Sequence, residues 1–378
     1  MNRRCFLRTM ATTVGAAGAT IATRGLPAAD ARPPVPVRIK AFCIDFNWLG
    51  GKFAPPGHWA EASPAEHVAW YEGLGANVIQ TFAVSCNGYA WYKGGVVKPQ
   101  PGLKHDFLPE VANLAHRKAM LAMGYFCIGA NSKWGIDHPA LSYGSPSTLH
   151  IPFTDEYIDY LTRSLGDAIR RTGMDGTMID WFWNPDDKLR ENGWLPAEQR
   201  LFTQLTGKAF PASGRPSPED KLVYERKAID RCWARLKQAR DAADPKCVLW
   251  LSVNDLSEPS IRNSPLLREV DWVMNESPDS KLFEIGRRMV GPNVRMIQNL
   301  VGWVNHDAAS FLASGHNREL DLYGFAEPRE NSLPLPIRDY LGKPVDAFKG
   351  KDHRSANDYN IAALARFYRG MPLNAVAP

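Results

Sequence analysis

The feature that most restricts this chain is a count. Eight short runs of β-branched, aromatic and aliphatic residues alternate with stretches of helical patterning: Val37–Phe46, Asn77–Val84, Met120–Ile128, Gly176–Trp181, Cys247–Val253, Val270–Met274, Val294–Leu300 and Leu320–Phe325. Several are almost wholly apolar, as strands covered on both faces must be. The helical stretch Ser63–Leu74 opens on Ser-Pro and stops at Gly75. A hydroxyl there satisfies an orphan N–H, proline fits the first turn, and glycine turns left-handed without strain. Asp106–Lys118, Thr154–Thr172 and Pro218–Ala242 read as helices by the same signals. Strands alternating with helices predict a parallel sheet, and eight such units predict a (β/α)8 TIM barrel. The rival, a doubly wound open sheet, lacks its G-x-G-x-x-G after the first run. We expect one barrel domain over residues 32–378, with insertions at about 129–152 and 186–215 on the carboxyl-terminal face. A last helix, Ala356–Phe367, is expected to pack against the barrel.

The segment before the first run is an address. Arg3 and Arg4 precede Phe6-Leu7, the weakly apolar stretch Met10–Thr23 follows, and Ala29-Asp30-Ala31 offers a small-residue cleavage site. We read 1–31 as a twin-arginine-type signal, which predicts a periplasmic or secreted protein with no membrane attachment after cleavage. Arg3, Arg4, Arg8 and Arg24 against Asp30 give this segment three of the chain's five net positive charges. The remainder is nearly balanced and carries no basic stripe, so a nucleic-acid partner is not expected. Cys43, Cys86, Cys127, Cys232 and Cys247 sit mostly in apolar runs, contain no C-x-x-C, and are expected to be core thiols.

In a barrel of this kind the residues just past each strand decide the chemistry. Those positions hold Asp45 and Trp48 after the first run, and Asn87, Tyr89 and Trp91 after the second. Trp134 lies in the insertion after the third, and Asp180, Trp181 and Trp183 follow the fourth. Asn254, Asp255 and Glu258 follow the fifth, Glu276 the sixth, Asn299 and Trp303 the seventh, and Glu327 the eighth. Pyranose rings present C–H faces to aromatics and hydroxyls to amides and acids. Glycosidic cleavage needs one carboxylate as nucleophile or base and another as acid. Asp180, set between Thr177–Ile179 and Trp181–Trp183, is the expected nucleophile, because a carboxylate there is costly to bury without a task. Glu276 is the expected general acid/base, with Asp255, Glu258 and Glu327 in reserve. Asp45 and the remaining residues are expected to bind substrate. No metal or cofactor is expected: H-E-x-x-H, G-x-S-x-G and glycine-rich phosphate loops are all missing.

Four segments carry a family resemblance. Gly73–Ile79, Asn87–Tyr92, Pro101–Leu108 and Ala115–Phe126 are similar to the barrel of α-L-fucosidase-like glycoside hydrolases and of their less characterised relatives, the hypothetical glycosyl hydrolases. Met174–Phe182 resembles the strand-four segment whose Asp is the fucosidase nucleophile, and that Asp maps onto Asp180. Where fucosidases carry His-His-Asp-Gly-Phe, this chain has Ser85-Cys86-Asn87-Gly88-Tyr89, so the resemblance leaves the sugar open. It implies a glycosidase, and we expect it to act on an oligo- or polysaccharide with retention of configuration, inversion being the open alternative. A non-catalytic carbohydrate-binding barrel and another barrel hydrolase of polysaccharide or cell wall stand beside it.

Overall fold

The computed structural model describes residues 32–145, 148–277, 280–301, 308–313, 320–350 and 352–376. The signal expected in 1–31 and the substrate contact expected of Trp303 lie outside them. The eight runs form eight strands: β1 Lys40–Ile44, β2 Val78–Val84, β3 Leu121–Cys127, β4 Gly176–Asp180, β5 Val248–Val253, β6 Trp272–Asn275, β7 Arg295–Val301 and β8 Asp321–Ala326. Neighbours pair in parallel in chain order, and β1 pairs with both β2 and β8, which closes the barrel. This is the expected (β/α)8 TIM barrel. The β2–β3 register shifts between Phe82 and Val84, and β7–β8 shifts between Asn299 and Val301.

The helices follow their local signals. Ser63 caps Pro64–Leu74 by accepting from the Glu66 amide, and Gly75 ends it at φ 86°. Thr154 and Ser217 cap Asp155–Thr172 and Pro218–Ala243 in the same way, each paired with acids in the first turn. The last helix runs His353–Tyr368, and Tyr368 reaches the carbonyls of Ala41 and Leu322 at 2.9 and 3.2 Å. The crossover between β5 and β6 keeps only one helical turn, Leu266–Glu269. No described helix is long and apolar enough to cross a membrane. All five described cysteines are buried free thiols, as expected of core residues.

The amino-terminal end of the barrel carries stabilising polar contacts. Buried Asp175 accepts from His116 at 2.9 Å and from the Ala122 amide at 2.7 Å, so His116 ties a helix end to a strand. The opposite end carries the added segments. Residues 129–152 contain the short helix Ser132–Asp137 and the paired strands Tyr143–Ser145 and Thr148–His150. Residues 186–215 contain the helix Pro196–Thr206. A small hairpin, Trp48–Leu49 against Lys52–Phe53, follows β1.

One buried ion pair braces the second added segment from within, and two tyrosines anchor it to its neighbours. Arg190 donates to Glu198 at 2.6 Å, and their side chains are 2% and 0% exposed. Tyr143 and Tyr224 hydroxyls donate to the same Glu198 carboxylate at 2.5 and 2.9 Å. Removing the guanidinium leaves a buried carboxylate without its charge partner, so Arg190→Ala is expected to lower stability by about 3–5 kcal/mol. Urea unfolding measures it, and a loss below about 1 kcal/mol would mean the pair contributes only as an exposed one does.

Candidate active site

The carboxyl-terminal mouth of the barrel holds a cleft of about 240 Å³. Its walls follow the period of two that strands impose: Cys43 and Asp45 from β1 and its end, Gln80 and Phe82 from β2, Met178 and Asp180 from β4, Ser252 and Asn254 from β5 and its end, Met274 and Glu276 from β6 and its end, Tyr323 and Phe325 from β8. Tyr125 of β3 adds a hydroxyl, and Trp48, Trp181 and Trp183 form a rim.

Asp180 ends β4 buried in the cleft floor, 9% exposed. Tyr125 donates its hydroxyl to Oδ2 at 2.7 Å, and the Trp181 amide donates to Oδ1 at 2.8 Å. The second bond needs an unusual backbone, because Trp181 stands at φ 55°, a left-handed conformation that is strained for a large side chain. Gly129 makes room for this turn: a Cβ there would sit 2.2 Å from the Trp181 carbonyl oxygen. Burial pushes the Asp180 carboxyl up to about 6, against the hydrogen bonds from Tyr125 and Trp181 that favour its charge.

Glu276 faces Asp180 from β6. The Ser252 hydroxyl donates to its Oε1 at 2.9 Å. Asn299 donates to the Glu276 carbonyl at 2.8 Å, which fixes the backbone that carries the acid. Burial first, and then the Asp180 charge, push the Glu276 carboxyl up to about 8. Asp180 therefore gives up its proton first, and its charge holds the proton on Glu276. Asp45 is the third carboxyl. Its Oδ1 accepts from the Asn47 amide at 2.8 Å, and burial, with Asp180 and Glu327 nearby, lifts it to about 7.

The aromatic rim is continuous. Trp181 and Trp183 stack with centroids 5.1 Å apart, and Trp48 lies 6.3 Å from Trp181. His150 leans on Trp181 at 5.2 Å, and burial holds its imidazole below the usual range.

The structure brings together Asp45, Trp48, Asp180, Trp181, Trp183, Asn254 and Glu276 of the expected set. It redirects others. Trp91 is a core residue, stacked on Phe46 at 4.4 Å and bonded to Ser85 at 2.8 Å, because the segment after β2 folds back and pairs Ala90 with Val84. Asn87 is spent on that fold: its side chain bonds the Ala54 carbonyl, Gln100 and the Tyr89 amide, and Tyr89 stays off the cleft. Trp134 is buried against His138 and Tyr157 under a separate concavity. Asn299 positions Glu276 and does not line the cleft. Asp255 holds a turn through Ser257 and, with Glu258, faces an adjoining groove. Glu327 acts on Asp45 through its charge from outside the cleft lining. These corrections remove all three reserve acids from the cleft and leave Glu276 facing Asp180. Tyr125, Ser252, Gln80 and Tyr323 were not among the expected residues. Their signal is the strand period: each lies an even number of residues along its strand from another cleft residue, or pairs across from one. Among the described residues, no three His, Cys, Asp or Glu side chains are grouped to hold a metal ion.

Tyr125→Phe tests the electrostatics directly. Losing the donor removes a bond that favours ionised Asp180, so its pKa rises. The acid limb of kcat/KM is expected to move up by about half to one pH unit. An unmoved limb in the pH–rate profile would show that the hydroxyl does not tune this carboxylate.

No protein-family model matches the chain, and no curated protein matches it. Among solved structures it is similar to α-L-fucosidase isoenzyme 2 from Paenibacillus thiaminolyticus, with a TM-score of 0.62 and 14% identity, covering 88% of this chain and 49% of that one. It is also similar to the PgaB (BpsB) glycoside hydrolase domain from Bordetella bronchiseptica, with a TM-score of 0.53 and 13% identity, covering 78% of this chain and 94% of that one. The chain thus spans about half the length of the fucosidase it matches. At these identities the likeness is one of fold, and the fucosidase-like barrel implied by residues 73–128 and 174–182 is the fold observed.

Proposed function

We propose that the protein is a retaining glycoside hydrolase in which Asp180 is the nucleophile and Glu276 the general acid/base. One observation carries the reading: Asp180 and Glu276, two carboxyls of unequal acidity, line one cleft under a rim of three tryptophans. In the first step an Asp180 oxygen bonds to the anomeric carbon while the glycosidic C–O bond breaks. Glu276 gives its proton to the departing oxygen. In the second step water attacks the same carbon, Glu276 takes the water's proton, and Asp180 leaves as carboxylate. Each proton and electron pair is returned, so the protein is unchanged after one hydrolysis.

The order of acidities supports these roles. Between about 6 and about 8 Asp180 is charged and Glu276 is not, which is the state the first step needs. A retaining pair stands about 5–5.5 Å apart, and an inverting pair about 6.5–9.5 Å. Trp48, Trp181 and Trp183 offer faces for stacking on a sugar ring. The names of the two similar structures, a fucosidase and a glycoside hydrolase domain, point the same way.

The test is sugar release from a broad panel of aryl glycosides and glycans across pH. The expected result is release from at least one sugar class, with a bell-shaped kcat/KM. Its acid limb, near 6, reports loss of the Asp180 charge, and its basic limb, near 8, loss of the Glu276 proton. Glycan binding with no release from any member would favour a carbohydrate-binding barrel.

A further inference from the structure

The cleft does not end at its rim. Trp183 and Asn254 line it and also line a second concavity of about 400 Å³, walled by Asn184, Asp186, Asp255 and Glu258. Glu258 is shared in turn with a third concavity of about 600 Å³ bordered by the segment after Asp186. The second concavity extends the cleft as a groove leading away from Asp180 on the β4–β5 side; the third, lined by Lys188, Arg190, Arg215 and Lys221 as well as acids, is not part of it.

Two features of this groove call for a ligand. Asn184 is 7% exposed, and its Nδ2 donates to the Glu225 carbonyl at 3.2 Å. Its Oδ1 is buried with no partner among the described residues. A buried acceptor left unmade is costly, and a ligand hydroxyl at the groove wall supplies a donor. The charges are the second feature. Asp187 and Glu225 are paired with Lys221 and Arg190, whereas Asp186, Asp255 and Glu258 have no cation at ion-pair distance among the described residues. Unpaired acids accept bonds from hydroxyls and amines and repel carboxylate or sulfate groups. Trp183, half-buried at the junction, presents an aromatic surface where a chain passes from cleft to groove.

We propose that this groove binds the sugars of a glycan chain beyond the scissile bond, and that the chain it takes carries no acidic substituents. The proposal rests on the glycosidase reading for its direction, but its test does not need turnover. Asp180→Asn protein is screened on an array of neutral, amino and uronic oligosaccharides from monomer to hexamer, and binders are titrated by calorimetry. The expected result is a neutral or amino hexamer bound at least about tenfold tighter than its monomer, with uronic oligomers excluded. Trp183→Ala is expected to erase the length increment. Glu258→Lys, an exposed site, is expected to relax the exclusion of uronic oligomers. Equal affinity for monomer and hexamer, no oligosaccharide bound at all, or uronic oligomers bound as tightly as neutral ones would each overturn the proposal. Length-dependent binding by a protein that hydrolyses nothing would sink the hydrolase reading alone. Hydrolysis with no length dependence would sink the groove alone.

Discussion

Asp180→Asn is expected to lower kcat by about four orders of magnitude while leaving the barrel folded. In an amide of the same shape the oxygen accepts from the Trp181 amide and the NH2 faces the Tyr125 hydroxyl, which turns to accept it; both groups lie within 2.8 Å of the carboxylate. It cannot bond to an anomeric carbon and leave again, because it has no charge to give or recover. The loss should therefore fall on kcat, with KM changed much less. Folding should not suffer, since burial already disfavours the Asp180 charge. Rates on any substrate found by the panel, with thermal unfolding of both proteins, measure the two halves. A variant within about tenfold of wild type would remove Asp180 from the chemistry.

Glu276→Gln is expected to cost about two to four orders of magnitude in kcat, depending on the leaving group. An alkyl or sugar leaving group needs the Glu276 proton, whereas nitrophenolate departs without it, so the loss should shrink on activated aryl glycosides. The basic limb near 8 should vanish, because the group that titrates there is gone. The same substitution should change stability in a defined direction. Burial and the Asp180 charge raise the folded-state pKa of Glu276 above its ordinary value. The native state therefore holds a proton that the unfolded chain has released. Stability from this group is present in full at low pH and is lost as pH rises through about 8. Glutamine has no such proton, so the variant should match wild type at pH about 4 and be more stable than wild type above pH about 8. Equal unfolding temperatures at high pH would show that Glu276 is not held protonated by its surroundings.

The barrel is legible in the sequence because each strand is written locally. Val78–Val84 and Leu121–Cys127 are buried along their whole length, and apolar runs of that kind stay legible without tertiary knowledge. The helix ends were legible for the same reason: Ser63, Thr154 and Ser217 act on amides three residues away. Asp180 and Glu276 close apolar strands, and that position alone places them at the mouth of the barrel. The aromatic assignments divided on a non-local event. Trp181 and Trp183 follow a strand directly and reach the rim, while Trp91 sits in a segment that folds back on β2 and enters the core. Nothing near residue 91 announces that return. Ser252 and Tyr125 escaped for a different reason. They lie inside strands, where a polar residue reads as tolerated, and only the choice of the inward-facing parity marks them as cleft residues. Asp255 shows the cost of ignoring that parity, since its neighbour Asn254 faces the cleft and Asp255 holds a turn.

The most direct test of the central claim is the identity of the atom that attacks the sugar. A 2-deoxy-2-fluoro glycoside of the released sugar, with a good leaving group, slows both steps and the second more, so a covalent intermediate accumulates. Mass spectrometry of the quenched protein and its peptides reads the outcome. The account predicts one fluorinated sugar per protein, on the peptide that contains Asp180, and none on Asp180→Asn. Turnover of the parent glycoside with no adduct, or an adduct on any other residue, would contradict it.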